Sequence, residues 1–180
     1  MTRPDSVQAL QILNNGGYLI PGEADSRAAH AAVMGAIGGI SNARGLAQLY
    51  RPLALGGAYN GLLPALRDPL PMMGAVESAG YDEVTLTPTR FSLGFLKSID
   101  NMHLAANDRE GVLMSEEAFG HAGMGGSLGF ADPKARMSFG YAMNRLGLGL
   151  GVNSRGQVLV DAVYRGMAYR PTGGGTWYAS

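Results

Sequence analysis

One segment limits the possible folds more than any other. FGHAGMGGSLGFADP, from Phe119 to Pro133, places five glycines and one histidine in fifteen residues that carry almost no charge. Glycines inside apolar, patterned sequence favour tight turns and close backbone approaches rather than disorder. Two short runs within the segment, 119–123 and 126–130, are strand-like, and ADPKA at 131–135 has the composition of a hairpin turn. The segment therefore predicts antiparallel strands joined by tight turns.

Period-two alternation extends this prediction in both directions along the chain. Apolar residues alternate with small or polar ones first over 91–95 and again over 137–143, as in strands with one buried face. These apolar positions are Phe91, Leu93 and Phe95, then Met137, Phe139, Tyr141 and Met143. The whole region from 87 to 143 is predicted to be an antiparallel meander.

Two helices are predicted to flank the strands. In SNARGLAQLYRPLALGG, Ser41 is the expected N-cap, Gly56-Gly57 the expected stop, and Pro52 should shorten or kink the last turn. Its expected buried face is Leu46, Leu49, Tyr50 and Leu53. SRGQVLVDAVYRGM at 154–167 predicts a second helix, with Leu159, Ala162, Val163 and Met167 on the buried face. The fold class is therefore predicted to be α+β, with antiparallel strands flanked by helices.

The chain is predicted to be a single domain over 1–180, because no linker and no internal repeat divides it. The tail at 168–180, which includes RPTGGGTWYAS, has no periodicity and is predicted to be loose.

Composition excludes several classes of function. Fourteen basic and fourteen acidic side chains balance, and no long Lys/Arg run occurs, so we expect no nucleic-acid partner. The chain has no cysteine, hence no disulfide framework and no thiolate chemistry. MTRPDSVQAL lacks the apolar core of a signal peptide, and the longest apolar run, 31–40, is about half of what a membrane helix needs. We therefore expect no membrane partner and a cytoplasmic protein.

Cofactor motifs are absent as well. Neither GMGGSL at 123–128 nor GLGLGV at 147–152 completes a dinucleotide-binding G-x-G-x-x-G, and no P-loop occurs. His30, His103 and His121 lie far apart in sequence and do not form a metal-ligand pattern. The sequence thus predicts no cofactor and no metal.

Three blocks resemble one known family, the serine β-lactamase and penicillin-binding-protein superfamily, in its class C-like carboxylesterase branch. FGHAGMGGSLGFADPKARMSFGYAMNRLG at 119–147 resembles the third family element, of which K-T-G and H-x-G are variants, followed by a glycine-rich turn. SNARGLAQLYRPLALGG resembles the helix before this region, and TPTRFSLGF, from Thr87, the strand between them. The resemblance implies an α/β sandwich of the β-lactamase type, of which this chain is the C-terminal portion, and so a single partial domain.

The resemblance also implies roles for individual residues. The Met124 backbone N–H is the implied oxyanion-hole donor, and His121 is implied to hydrogen-bond near the acyl or leaving group. Ala122, Gly123, Gly125 and Gly126 are implied to form the wall against which substrate lies. Because histidine replaces the lysine that would hold a carboxylate, the implied substrate is a small ester or amide, with uncharged esters favoured over β-lactams.

The family's nucleophile is missing from these 180 residues. S-x-x-K does not occur, because Gly94 and Ala131 stand three positions before the two lysines, Lys97 and Lys134. The nearest matches to the second family element, Y-x-N or Y-x-S, are Tyr59-Asn60-Gly61 and Tyr178-Ala179-Ser180. Without the serine and lysine of S-x-x-K, the isolated chain should be inactive.

Three interpretations of this gap remain open. The chain is the C-terminal part of a serine hydrolase, as a truncated gene product, a fragment or one half of a split enzyme, and another segment completes its site. The expected protein partners are an N-terminal half on another chain or a second copy in a homodimer. Alternatively, it is an inactive remnant or interaction module, or it binds a ligand beside His121 without catalysis.

Overall fold

The computed structural model describes residues 3–14, 16–57, 68–100, 111–149, 151–172 and 175–180. They divide into two compact units, where the sequence predicted one domain. The first unit is Met1–Ser41 with Asp82–Thr87, and the second is Asn42–Tyr81 with Pro88–Ser180. No helix in the described ranges is long and apolar enough to cross a membrane.

The first unit consists of short helices around a very small core. α1 spans Val7–Leu13, a 3₁₀ turn spans Glu23–Asp25, and α2 spans Arg27–Ala31. Serine hydroxyls begin both α-helices: Ser6 accepts a hydrogen bond from the Ala9 N–H, and Ser26 accepts one from the Ala29 N–H. The apolar side chains of α1 are largely exposed, so burial contributes little to the stability of this unit.

Three antiparallel strands form the centre of the second unit. They are β3 (Phe119–Ala122), β4 (Leu128–Asp132) and β5 (Met137–Tyr141), in the spatial order β3-β4-β5. His121 pairs with Gly129, and Phe130 pairs with Phe139. The predicted meander and the α+β fold class are therefore confirmed over this region.

Two further hairpins and a short helix complete the elements. β1 (Ser78–Asp82) pairs with β2 (Thr87–Phe91), and β6 (Tyr169–Pro171) pairs with β7 (Trp177–Ala179). α4 spans Leu70–Gly74. The strand predicted over 91–95 is wrong, because β2 ends at Phe91 and the chain turns back through Gly94, whose φ is +79°. Leu96 then exchanges backbone hydrogen bonds with Gly120 of β3.

α3 (Ala43–Ala54) packs against one face of the sheet. Its approach is close enough that a Cβ on Gly140 of β5 would lie 2.2 Å from the Ala43 carbonyl oxygen. Asn42, not Ser41, is the N-cap, since its side chain accepts a hydrogen bond from the Gly45 N–H. Leu49 was predicted to lie on the buried face of α3, but it is 69% exposed, so this part of the prediction is wrong.

α5 (Ser154–Gly166) packs its Val160 and Tyr164 side chains into a core with Ala122, Leu128 and Phe130. Because alternate residues of a strand point to opposite faces, this core lies on the face of β4 away from Ala131, which packs with α3 residues. All five β4 residues are buried as a result. The predicted α5 face is wrong: Gly156, Val160 and Tyr164 are buried, whereas Leu159 and Met167 are exposed.

The predicted loose tail at 168–180 is also corrected, because β6 and β7 form a hairpin there. Trp177 is 4% exposed, and its ring stacks on Tyr164 with centroids 5.7 Å apart. The Trp177 N–H donates to the Met114 carbonyl. Three-residue strands are too short to leave a period-two signal, and one buried aromatic ring holds them in place.

A buried carboxylate connects three parts of the second unit. Asp132 has no exposed surface, and its Oδ2 accepts hydrogen bonds from the Ser115 hydroxyl at 2.6 Å and the Tyr164 hydroxyl at 2.8 Å. Oδ1 accepts from the Ala135 N–H in the β4–β5 turn. Burial, helped by the Asp132 charge, raises the pKa of Tyr164, so this hydroxyl remains a donor at neutral pH.

Tyr164→Phe should lower the free energy of unfolding by about 2 kcal/mol, because it removes one donor to a buried carboxylate and leaves the Ser115 N–H unpaired. Urea titration followed by circular dichroism measures the change. Tyr178→Phe is the matched control: Tyr178 is 46% exposed, and its loss should cost less than about 0.5 kcal/mol. Equal effects of the two changes would contradict the importance of the network.

Gly140→Ala should destabilise the protein by about 2 kcal/mol, because the new methyl group would force α3 away from the sheet. Gly166→Ala, where a Cβ meets nothing within 4 Å, should be neutral or slightly stabilising in the same urea titration. If Gly140→Ala proved as mild as this control, the close helix–sheet contact would be wrong.

Candidate functional site

The sequence-predicted site residues lie together at the end of β3 and in the turn that follows it. Phe119 and His121 share one face of the strand, the face on which α3 packs. Phe119 is buried there, whereas the His121 side chain is exposed. Ala122 points to the opposite face and is buried in the α5 core, so its side chain is a packing residue and not an exposed part of the wall.

The His121 ring is held by its own strand. Its Nδ1 lies 2.7 Å from the carbonyl oxygen of Ala122. A carbonyl oxygen can only accept a hydrogen bond, so this contact places a proton on Nδ1. In the neutral ring Nε2 is then the acceptor, and it is the nitrogen available to an incoming group.

The glycine-rich segment after β3 is a tight turn over Gly123–Gly126. The Gly126 N–H donates to the Gly123 carbonyl at 3.0 Å, which closes the turn. Gly125, the third residue, has φ +83°, close to the value of about +80° in a type II turn. The Gly123 N–H also bonds to the Ser127 carbonyl, so the turn continues the β3–β4 ladder.

The turn sets the direction of the Met124 N–H. This N–H and the Gly123 carbonyl belong to one peptide group, and the described residues contain no cis peptide, so the two point in opposite directions. The carbonyl points into the turn, hence the N–H points out of it. Within the described ranges this N–H makes no hydrogen bond, and the Met124 side chain is 47% exposed. The site therefore offers a backbone donor that has no partner among the described residues.

Glycine at the other turn positions is required by the fold itself. A Cβ on Gly123 would lie 2.4 Å from the Ser127 hydroxyl oxygen, and one on Gly125 would lie 2.5 Å from the Leu146 side chain. Gly126 has φ +113°, which disfavours any side chain. The glycines predicted to make room for substrate thus have a structural reason as well.

Sequence reasoning missed the role of Tyr50, which its helical spacing marks only as a core residue. Tyr50 of α3 is 8% exposed, and its ring covers Gly129 of β4, where a Cβ would lie 2.5 Å from the ring. Burial raises the pKa of the Tyr50 hydroxyl, and a hydrogen bond with the His121 backbone partly opposes that rise. Tyr50 therefore supports the β3 strand directly beneath His121.

No serine hydroxyl in the described part of the chain is hydrogen-bonded to the His121 ring. Ser92, Ser98 and Ser115 are buried, and the Ser115 hydroxyl is bonded to Asp132. Tyr178–Ser180 lies in and just after β7, while Tyr59–Gly61 and His103 lie outside the described residues. Among the residues that are described, the ring of His121 has one hydrogen bond, to Ala122.

Both lysines are engaged elsewhere. Lys97 is 1% exposed and donates to the Glu116 carbonyl at 2.6 Å, and burial lowers its pKa. Lys134 forms an exposed ion pair with Glu117 at 2.7 Å. Neither lysine is therefore placed to serve as a general base beside His121.

The residues that the structure describes contain no candidate metal site. No group of three or more His, Cys, Asp and Glu side chains there lies close enough to hold a metal ion. A hollow of about 420 Å³ in the first unit is lined by Val7, Leu10, Gln11, Asn14 and Val84. None of these side chains titrates, so the hollow offers no acid–base chemistry.

Comparison with known proteins places this geometry in context. The family model described as Beta-lactamase matches residues 5–166. The structure is similar to a family VIII carboxylesterase, with 36% identity over 79% of this chain and 36% of the other, and a TM-score of 0.63.

Two further solved structures are similar to this chain at 32% identity and a TM-score of 0.53. One is a penicillin-binding protein homologue from Caulobacter crescentus, covering 68% of this chain and 31% of the homologue. The other is EstA from Arthrobacter nitroguajacolicus, covering 70% of this chain and 32% of EstA. The chain thus spans about a third of the length of these structures, and no curated protein matches it.

Gly125→Ala should destabilise the protein more than Gly94→Ala does. Both glycines have φ near +80°, so both changes carry the left-handed penalty of about 1–2 kcal/mol. Only Gly125→Ala adds a clash with Leu146, whereas a Cβ on Gly94 meets open space. Urea titration measures the loss of unfolding free energy in each variant, and the difference between the two losses reports the packing of Gly125 against Leu146. Equal losses would contradict this packing.

Proposed function

The chain belongs to the β-lactamase family, and from this premise we propose that it supplies one wall of a serine-hydrolase active site that cleaves small esters. One observation carries the proposal. The Met124 N–H, which has no hydrogen-bond partner among the described residues, points out of the turn at the end of β3, three residues after the exposed His121. The similarity to a family VIII carboxylesterase supports the same class of chemistry.

The Met124 N–H has the properties of an oxyanion-hole donor. When a serine oxygen adds to an ester carbonyl, the carbonyl π electrons move onto oxygen and create a negative charge. A rigid backbone N–H that is already directed at this oxygen stabilises the charge without reorganising during the reaction. The base that takes the serine proton returns it to the leaving oxygen as the intermediate collapses, so the carbonyl is restored and the alcohol departs. The acyl-serine that remains is then hydrolysed by water.

His121 is proposed to act at the leaving group or the acyl group. Its Nδ1 is bonded to the Ala122 carbonyl, and its Nε2 has no hydrogen-bond partner among the described residues. Imidazole is not a fixed cation as a lysine ammonium is, so this position does not favour a substrate carboxylate. Uncharged esters are therefore the preferred substrate class over β-lactams that carry a carboxylate.

The nucleophile and its base must come from another segment. The 180 residues contain no S-x-x-K, and both lysines are engaged away from His121. We therefore expect the site to be completed by a polypeptide segment outside these 180 residues that carries S-x-x-K.

A second candidate function is a non-catalytic interaction module, and the sheet edge favours it. In the described residues β5 is the terminal strand of the three-stranded sheet, and it pairs with β4 alone. Its residues are all partly exposed. An edge strand with unpaired backbone groups can add a strand from a partner.

A chimera tests the proposed chemistry directly. This chain replaces the matching portion of the family VIII carboxylesterase, and hydrolysis of p-nitrophenyl butyrate is measured. Met124→Pro removes the N–H together with the methionine side chain and should leave the turn intact, because proline suits the second position of a type II turn. It should lower kcat about 10²- to 10³-fold relative to Met124→Leu, which keeps the N–H.

Two results would count against the proposal. Equal kcat values for the two Met124 variants would exclude the N–H as a donor. A chimera that folds but hydrolyses no ester would favour the interaction module.

A further inference from the structure

The side chain of Asn153 makes two hydrogen bonds, each with a different part of the fold. Its Oδ1 accepts from the Arg155 N–H at 3.2 Å, which caps the 13-residue α5. Its Nδ2 donates to the Gly125 carbonyl at 3.1 Å, in the turn that carries Met124. The side-chain amide thus connects the beginning of α5 to the glycine-rich turn.

Asparagine suits this double role because its amide has separate donor and acceptor atoms. Asp and Ser cap helices about as well as Asn, but neither can accept from the helix and also donate from a second atom as an amide does. The surrounding backbone makes room for the amide. A Cβ on Gly126 would lie 2.5 Å from the Asn153 Nδ2, and one on Gly147 would lie 2.3 Å from it.

Asn153 belongs to a set of bonds that fixes every peptide group around Gly125. The Gly125 carbonyl also accepts from the Gly147 N–H at 2.8 Å, and the Gly125 N–H donates to the Gly149 carbonyl at 3.2 Å. The Gly126 N–H fixes the Gly123 carbonyl. The peptide groups that follow Gly123, Met124 and Gly125 are therefore all held, and the Met124 N–H is the donor left outside.

The helix that Asn153 caps is itself firmly placed. Val160 and Tyr164 of α5 have no exposed surface, and the Tyr164 hydroxyl is bonded to Asp132. A turn that is hydrogen-bonded to this helix is held in a fixed position. A glycine-rich turn without such bonds would sample many conformations.

We propose that Asn153 is a positioning residue, which holds the Gly125 carbonyl so that the Met124 N–H keeps the direction needed to stabilise an oxyanion. The inference rests on the proposed function, because the value of a fixed direction depends on what the N–H binds. A misplacement of about 1 Å at a reacting centre can cost about 100-fold in rate, so a modest loosening of the turn matters.

Asn153→Asp keeps one side-chain hydrogen bond of Asn153 and removes the other. A carboxylate still caps α5 but has no donor for the Gly125 carbonyl. Asn42→Asp is the matched control, since Asn42 is the N-cap of α3 and its side chain accepts from the Gly45 N–H. Asn153→Ser is a second variant with the same logic and no added charge.

Nuclear magnetic resonance of the full chain measures the conformation of the turn, and this measurement does not require a nucleophile. In Asn153→Asp and Asn153→Ser, the residual dipolar couplings of the Met124, Gly125 and Gly126 amides should change. Protection of the Gly147 amide from hydrogen exchange should fall about tenfold, as expected for the loss of one hydrogen bond. Amides of Val160 and Tyr164 should keep their protection because α5 remains capped.

The proposal is overturned if both Asn153 variants leave the Met124 coupling and the Gly147 protection unchanged. It is also overturned if Asn42→Asp changes them equally, since the effect would then be general destabilisation. In the carboxylesterase chimera, Asn153→Asp should lower kcat about tenfold or more with little change in KM. If kcat in the chimera stays unchanged while the dipolar couplings change, the proposed function is wrong and the positioning role of the Asn153 contact still holds.

Discussion

The buried carboxylate of Asp132 is the interaction on which the second unit depends. A fully buried charge is costly unless hydrogen bonds replace the water that it has lost. Asp132 obtains them from the Ser115 hydroxyl, the Tyr164 hydroxyl and the Ala135 N–H. These donors belong to the segment before β3, to α5 and to the β4–β5 turn. The carboxylate is therefore satisfied only when these parts are correctly placed around β4.

The candidate site lies at the end of this framework. Tyr164 fixes α5 on one face of the sheet, and α3 covers the other face through Tyr50 and the close contact at Gly140. β3 emerges between these layers with His121 exposed at its end. The turn after it exposes the Met124 N–H, and Gly125 of this turn is hydrogen-bonded to Gly147, Gly149 and Asn153. Rigid elements thus hold the turn whose backbone N–H is the proposed donor, and a preorganised donor is what electrostatic stabilisation of an oxyanion requires.

The sequence predicted the parts of this structure that rest on local pattern. Alternation along 137–141 and the turn residues of ADPKA predict the β4–β5 hairpin, and the motif around His121 indicates the family. It could not predict the buried face of α5, because that face is set by Tyr164, whose polar group is buried to reach Asp132. Trp177 escapes notice for a similar reason: its partner Tyr164 is thirteen residues away and is found only in the fold. Asn153 looks like an ordinary helix cap in sequence, since only the structure brings Gly125 within reach of its amide.

The central claim is that this chain forms an active-site wall without its nucleophile, and intact-mass spectrometry tests it most directly. The purified chain is incubated with a serine-directed fluorophosphonate, and hydrolysis of a short-chain p-nitrophenyl ester is followed in parallel. We predict no covalent adduct and no turnover, because none of the serines precedes a lysine in S-x-x-K. A stoichiometric adduct on a serine of this chain, together with ester turnover, would contradict the account.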